Sequence, residues 1–480
     1  MVVDDLGVPG LEELSREELL VVVTAQAQLI EQLSARVEVL TVQVVDLTRR
    51  LGQNSGNSSL PPSSDLFGTP NPDRRKPTGR RPGKQAGAPG STLELVAEPD
   101  EVVDHVPDAC HGCGSDLADA VPAGTVVRQV RDVPPVTIKI TEHRMHKRAC
   151  GCGAVTAAAA PSGVDGPAVY GPNLRALAVY LVVFQHVPVE RAAQLIADLT
   201  GATVSTGWVT ACVARTAQAL VEVEALIKTL LFAAAVIGVD ETTLNVAGTK
   251  QWLHIARTEK LTAFHLHTSR GRKAVNEFGV LPTYTGTIVR DALAVYDTYP
   301  ATHALCGAHL IRELTALAEA HPDQIWPAQA RSALADLADA ARAARSQGLS
   351  QIPAEQAAEP LRLFRHAVRV GLAVHRRDEG RKQSKARNLL ERLRDREPEI
   401  LRFTADLAVP FTNNGSERDL RPVKTQIKIS DCHRSSTRAQ AWLRIRGYIS
   451  TVRKHGDDVL TALHDAITGN PWQPESAPAT

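Results

Sequence analysis

Two apolar runs in this chain each stop on an aspartate, and that pattern restricts the possible folds more than any other feature. Ala233-Ala-Ala-Val-Ile-Gly-Val239 leads into Asp240, and Gly286-Thr-Ile-Val-Arg290 leads into Asp291. Short β-branched runs of this kind read as strands buried on both faces. A carboxylate at the end of such a strand is costly unless a cation or hydrogen-bond donors compensate its charge. For either aspartate alone, capping a neighbouring helix is the plainer reading. For two together, a pair of divalent cations is the sharper one: Mg²⁺ takes a few carboxylate oxygens and keeps water that a phosphate can displace.

The flanking periodicity predicts strands at Val236–Asp240, Gln251–Arg257, Leu261–His267, Thr287–Asp291 and His303–Cys306, and a helix at Gly271–Phe278. From 308 to about 406 the chain is rich in Ala, Leu and Arg with helical spacing, and helix returns over 414–470. Strands followed by alternating helix and strand, then helices, give a mixed α/β layer architecture. A third acid, Glu417, stands in Asn413-Asn414-Gly-Ser-Glu417-Arg418, where Asn413, Asn414 and Ser416 read as a helix start. An acid in the first turn favours the helix dipole, so Glu417 alone needs no other role. Its surroundings add one: residues 417–454 hold ten Lys or Arg against Glu417, Asp419 and Asp431. Arg418, Arg421, Lys424 and Lys428 are the candidates for phosphate contacts.

Upstream, residues 19–51 carry heptads with Val23, Ile30, Val37, Val44 and Leu51 on one seam and Leu19, Gln26, Leu33, Leu40 and Leu47 on the other. β-Branched residues at a and Leu at d predict a two-stranded parallel coiled coil, here over 11–51, and hence a homodimer or larger assembly. The alternative is an amphipathic helix packed on its own chain. Residues 52–92 are Gly-, Ser-, Pro- and Asn-rich and carry Arg74, Arg75, Lys76, Arg80, Arg81 and Lys84 with few apolar residues, a flexible basic linker that either tracks phosphates or is a solvated tether.

Cys110-His-Gly-Cys113 and Cys150-Gly-Cys152 suit two tight turns that each offer two sulfurs to a structural Zn²⁺. Strands are expected between them at Thr125–Arg131 and Val136–His146, giving a zinc-ribbon-like unit over 93–160 in which His143 or His146 is an alternative ligand. Over 170–230, a helix from Pro188 to about Leu199, a turn at Gly201 and a second helix capped by Ser205 read as a helix-turn-helix or as an ordinary helical hairpin. Cys212 and Cys432 stand alone, and no role is assigned to either.

The 480 residues suggest several units, and a net charge of +1 shows that DNA affinity, if present, comes from local stretches. Asp4, Asp5 and Glu12 occupy the place of a basic signal region, and no apolar stretch is long enough to span a bilayer, so the expectation is a cytoplasmic, nucleoid-associated protein with no membrane partner.

Taken in order, Val-Asp240-Glu241-Thr242, Asp291-Ala-Leu-Ala-Val-Tyr296, Cys306-Gly-Ala-His309-Leu-Ile-Arg312 and Asn413-Asn414-Gly-Ser-Glu417-Arg418-Asp-Leu-Arg421-Pro422 resemble the insertion-sequence-66 family of Asp-Asp-Glu transposases over nearly the whole chain. The resemblance implies a multidomain α/β protein: coiled coil, zinc ribbon and helical DNA-binding segment, then an RNase H-like mixed-sheet catalytic domain over 233–470 with a helical insertion at about 322–408. It implies that Asp240, Asp291 and Glu417 form a triad holding Mg²⁺ or Mn²⁺. The implied chemistry is cleavage of transposon inverted-repeat ends and strand transfer into target DNA, with small accessory proteins of the element as possible partners. Cys306 and His309 match a Cys-x-x-His motif that either shapes the site or contacts DNA, and they equally suit a core. Ala292-Leu293 and Lys424–Lys428 depart from common family residues, which bears on sub-branch and end preference more than on chemistry. The competing readings are an RNase H-like nuclease that does not join DNA, and a catalytically idle zinc-ribbon regulator.

Overall fold

The computed structural model describes residues 15–51, 53, 93–377, 379–380 and 382–475. All six cations of the expected basic linker lie outside the described residues.

Helix α1 runs from Arg16 to Leu51. Its seam residues Val23, Ile30, Leu33, Val37, Leu40, Val44, Leu47 and Leu51 are 51–81% exposed, so the helix does not bury this stripe against its own chain. Residues 93–160 are also largely exposed. The strands expected at Thr125–Arg131 and Val136–His146 do not form; the pairing is instead between β1 (Lys147–Ala149) and β2 (Val155–Ala157), which bracket the turn holding Cys150 and Cys152. Alternation specifies a strand only where one face can be buried, and this segment has no such face.

From 172 onward the chain packs around one large core. Helices α2 (Pro172–Val179, continued by a wider turn at Tyr180–Phe184), α3 (Val189–Thr200), α4 (Thr206–Ala219) and α5 (Val221–Ala233) lead into the sheet. Gly201 ends α3 in the left-handed region at φ 75°, and the Ser205 hydroxyl accepts the Trp208 amide at the start of α4, as the turn residues predict. These helices have no core of their own: Ile196, Val209, Leu220 and Leu231 share one with the sheet and with the C-terminal helices.

The sheet contains β3 (Val236–Val246), β4 (Thr249–Arg257), β5 (Thr262–His267), β6 (Thr287–Arg290) and β7 (Thr302–Leu305), in spatial order β5-β4-β3-β6-β7, with α6 (Arg272–Phe278) between β5 and β6. The first three are antiparallel; β6 and β7 run parallel to β3. Ala247 and Gly248, both at positive φ, form the two-residue turn that joins β3 to β4. That hairpin corrects one expectation. Asp240 does not end its strand; β3 continues to Val246 because β4 pairs with it throughout and Leu244 and Val246 are buried.

Helices α7 (Gly307–Ala320), α8 (Trp326–Ser346), α9 (Ala354–Val374), α10 (Lys385–Asp395), α11 (Glu397–Ile400) and α12 (Arg402–Ala405) form a block around a second core that includes Trp326, Leu334, Leu337, Phe364, Leu390 and Leu393. The chain then returns to the sheet as α13 (Asn414–Ser430), α14 (Ser436–His455) and α15 (Val459–Thr468).

Helix α13 is fastened to the middle of the sheet. Asn413 Nδ2 donates to Val239 O at 2.7 Å, and the buried Ser416 hydroxyl donates to Asn413 Oδ1. Gly238 makes this approach possible: a Cβ there would stand 2.7 Å from Asn413 Oδ1 and 2.8 Å from Ser416 Oγ. Gly238→Ala is therefore expected to cost about 1–3 kcal/mol through overpacking, read as a lower denaturation midpoint, whereas Gly248→Asn in the exposed turn should cost far less.

Candidate active site

The sheet register brings the two aspartates together. β3 and β6 pair in parallel as far as Gly238 and Val289. Two residues further along each chain stand Asp240 and Asp291, so the same register sets them side by side at roughly the 5 Å spacing of neighbouring strands. Burial pushes the Asp240 carboxyl up to about 7; the charges of Glu241 and Asp291 add to the rise, while the Glu241 amide and His309 oppose it. Asp291 is oriented by its own turn, its Oδ1 accepting the Leu293 amide at 2.9 Å.

Glu417 lies in the first turn of α13, as its capping residues predict. Two contacts bracket it: Asn413 bonds to Val239 beside Asp240, and the half-buried Lys424 feels the Asp240 charge. Glu417 is one turn past Asn413 and two turns before Lys424, on the same side of the helix. Its carboxylate pairs with Arg312 of α7 at 3.4 Å. Among the described residues no three His, Cys, Asp or Glu side chains are grouped as a metal site requires. Two acids, rather than three, are thus juxtaposed, and the third reaches toward a guanidinium.

Cys306 and His309 border the same place. The buried Cys306 sulfur accepts the Asn413 amide at 3.1 Å, and Gly307 N donates to Phe411 O at 2.9 Å, which anchors the start of α7 against the start of α13. Burial disfavours a charged His309 ring, but the Cys306 sulfur and the Asp291 carboxylate hold it up at about 9. Asp291, Leu293, Cys306, His309, Glu313 and Arg392 line an open cleft of about 260 Å³ between the sheet edge and the helical block.

Several residues that hold this site were not singled out from the sequence. The Glu241 side chain is 1% exposed; it accepts from Arg270 Nε at 2.9 Å and from the buried Tyr296 hydroxyl at 2.7 Å, tying the segment after Asp291 to β3. Asp419 binds Lys454 Nζ at 2.6 Å, Arg257 Nε at 3.3 Å and the Thr262 hydroxyl at 3.2 Å, locking α13 to β4, β5 and α14. Glu241 and Asp419 stand among polar residues and gave no sequence signal; a charge directly after apolar residues marks Arg290, which is fully buried.

Of the four cations expected to meet phosphate, Arg418, Arg421 and Lys428 are exposed and Lys424 is turned toward Asp240. The later part of the basic stretch is partly spent inside the protein: Lys454 on Asp419, Arg444 on Glu224, and Arg446 in the core over the Phe184 ring.

In the cysteine segment, Cys110 N donates to Ser115 O and Cys150 N to Ala154 O, closing two tight turns. The Ser115 hydroxyl lowers the pKa of Cys113, with Cys110 contributing, and hydrogen bonds from Cys152 lower that of Cys150. Each pair is thus assembled, but the two pairs are not gathered into one four-sulfur group among the described residues.

Three family models match this chain. The one described as Transposase IS66 family covers residues 167–441, from the helices before the sheet through α13 into α14. The chain belongs to that family. A model for the zinc-finger binding domain of transposase IS66 covers residues 107–153 and so spans all four paired cysteines. A family of unknown function covers residues 8–94, the region of α1 and the linker. No curated protein matches. Among the described residues, no helix of this IS66 family member is long and apolar enough to cross a membrane.

The raised Asp240 value has a consequence for stability. Because the folded-state pKa of about 7 lies above the ordinary 3.8, folding disfavours the ionised form. The resulting loss of stability is absent below pH 3.8, grows toward pH 7 and is complete above it. Asp240→Asn, which keeps the oxygen that accepts the Glu241 amide, should therefore raise the unfolding temperature of metal-free protein at pH 8 and have little effect at pH 4. Thermal denaturation in chelator at the two pH values checks this.

Proposed function

We propose that this chain is the transposase of an insertion sequence, cutting the ends of its element and joining them to target DNA on an RNase H-like fold. The observation that carries the reading is the placement of Asp240 and Asp291 side by side on neighbouring parallel strands, with α13 laid across them. Asp240, Asp291 and Glu417 would hold the cations. The donor set fits hard divalent ions, being oxygen only, and the elevated Asp240 value marks negative charge that the protein itself leaves uncompensated.

Two Mg²⁺ or Mn²⁺ ions bound there would activate an attacking hydroxyl and stabilise the departing oxygen. The side chains supply the rest. Arg418, Arg421 and Lys428, exposed along α13, take DNA phosphates and set the strand over the acids. Lys424 faces Asp240 from the same helix without forming an ion pair, leaving the carboxylate for a cation. Arg312 pairs with Glu417, and with that carboxylate on a cation its guanidinium would be free to meet a DNA phosphate. The Asp291 turn and the Glu241–Tyr296 bond hold the acids at a fixed spacing, so little reorganisation is left for the reaction itself.

Cys110, Cys113, Cys150 and Cys152 would hold a structural Zn²⁺ that closes the two turns into one unit, since tight turns presenting paired thiols are what a tetrahedral site requires. The exposed seam of α1 pairs with that of a second copy, which supplies the two active sites that cutting two ends requires. The helices over 170–230 contribute end binding.

Asp240→Asn should abolish both end cleavage and strand transfer on an element-end substrate while single-end binding stays within about twofold. Cleavage or joining by that variant would remove the assignment, and cleavage without joining by the wild-type chain would point to a nuclease. Deleting residues 1–51 should weaken paired-end assembly in a gel-shift assay by at least about tenfold, as expected when a tethered second site is lost, and leave single-end binding nearly unchanged.

A further inference from the structure

Arg290 ends β6, directly before Asp291, and none of it is exposed. A buried guanidinium is expensive unless all of its donors and its charge are answered. Here they are. Nε donates to His303 Nδ1 at 3.1 Å, and Nη1 donates to Asp291 O at 3.1 Å and to Leu293 O at 3.2 Å. Nη2 donates to Asp297 and stands 3.8 Å from Glu399. The two carbonyls belong to the turn that aims the Asp291 carboxylate, so the guanidinium acts as a clamp on that turn.

The counter-charges come from two places. Asp297 lies just after the Asp291 turn, whereas Glu399 is on α11 of the helical block. Arg396, also from the block, closes the set, reaching Asp297 at 2.6 Å and Glu399 at 2.6 Å. Arg402 of α12 adds a bond to His303 O at 2.8 Å, beneath the ring that Arg290 holds. Two cations and two anions thus form a balanced cluster, one pair from β6 and the turn that follows it and one pair from the helical block. Withdrawing the block would leave the guanidinium short of one carboxylate and Asp297 short of one cation.

We propose that Arg290 is a positioning residue through which the helical block sets the Asp291 turn, so that cation binding at the acids and docking of the block on the sheet strengthen each other. The inference rests on the reading of Asp291 as a cation ligand. Linkage makes the coupling reciprocal: whatever fixes the block raises cation affinity, and bound cation stiffens the block. It also gives the block a part in the active site although Glu399 and Arg396 touch neither acid of the pair.

The test uses the full chain with Mn²⁺ as the probe, read by electron paramagnetic resonance of the free ion, together with amide hydrogen exchange in Mg²⁺. Glu399→Gln alone leaves the cluster with excess positive charge and should lower both unfolding temperature and Mn²⁺ affinity. Arg396→Gln with Glu399→Gln leaves a neutral Arg290–Asp297 pair, so stability should recover most of the loss. Mn²⁺ affinity should nonetheless remain about tenfold below wild type, the usual scale for outer residues that orient a metal ligand. In wild type, Mg²⁺ should slow exchange at 291–297 and also at 397–405; in the double variant it should slow only the first. A purely structural cluster predicts that affinity recovers with stability, and that result would overturn the proposal. So would wild-type exchange at 397–405 that ignores Mg²⁺, a measurement that needs no variant. If the wild-type chain binds no Mn²⁺ that Asp240→Asn removes, the reading of the acids themselves fails first and takes this coupling with it.

Discussion

Two carboxylates held at one level of neighbouring parallel strands repel each other, and much of the fold from 172 onward resists that repulsion. Asp240 is raised to about 7 by burial and by its acidic neighbours, so the folded chain carries an electrostatic cost at neutral pH. The sheet keeps the pair in place because β3 is hydrogen-bonded on both sides, by β4 and by β6. An acid on a surface loop would simply move away. Here the backbone is fixed, and the charge must be met by something brought to it.

What is brought is carefully graded. Glu241, on the other face of β3, is paired within the protein with Arg270 and Tyr296, although burial and the Asp291 charge still hold its carboxyl above the ordinary value. Asp419 is answered by Lys454 and Arg257. Asp297 and Glu399 are answered by Arg290 and Arg396. Asp240 and Asp291 have no comparable cation among the described residues; Lys424 and His309 approach without forming an ion pair. The surrounding acids are paired at hydrogen-bond distance and these two neighbouring ones are not, and the proposed cation-binding role builds on that contrast.

The same sorting explains why the basic stretch after Glu417 was only half readable. Counting ten cations over 417–454 gives a positive region, but charge patterning cannot say which side chains face solvent. Helix α13 leaves Arg418, Arg421 and Lys428 outside, whereas α14 is packed between the sheet and the N-terminal helices and turns Arg444, Arg446 and Lys454 inward. The strands around Asp240 and Asp291 were legible because both runs are apolar and short. The continuation of β3 past Asp240 was not, since Glu241-Thr-Thr lacks apolar character and is held by its partner strand. The expected strands at 125–131 and 136–146 failed for the complementary reason: alternation was present, but no buried face existed to use it.

By itself the sequence determined the kinds of element and their order from 172 onward, because hydrophobic period, turn residues and helix caps are local and act within a few residues. It also determined the chemistry on offer: three acids, two cysteine pairs, a heptad seam. Only the tertiary structure decided which acids stand together and which cations remain free. It decided too that the helical block shares an ionic cluster with the Asp291 turn. Those outcomes depend on residues far apart in the chain meeting in one place, as Asp240 and Asp291 or Arg290 and Glu399 do, and long-range pairing of that kind follows from the register of the sheet and the packing of helices on it rather than from any local pattern.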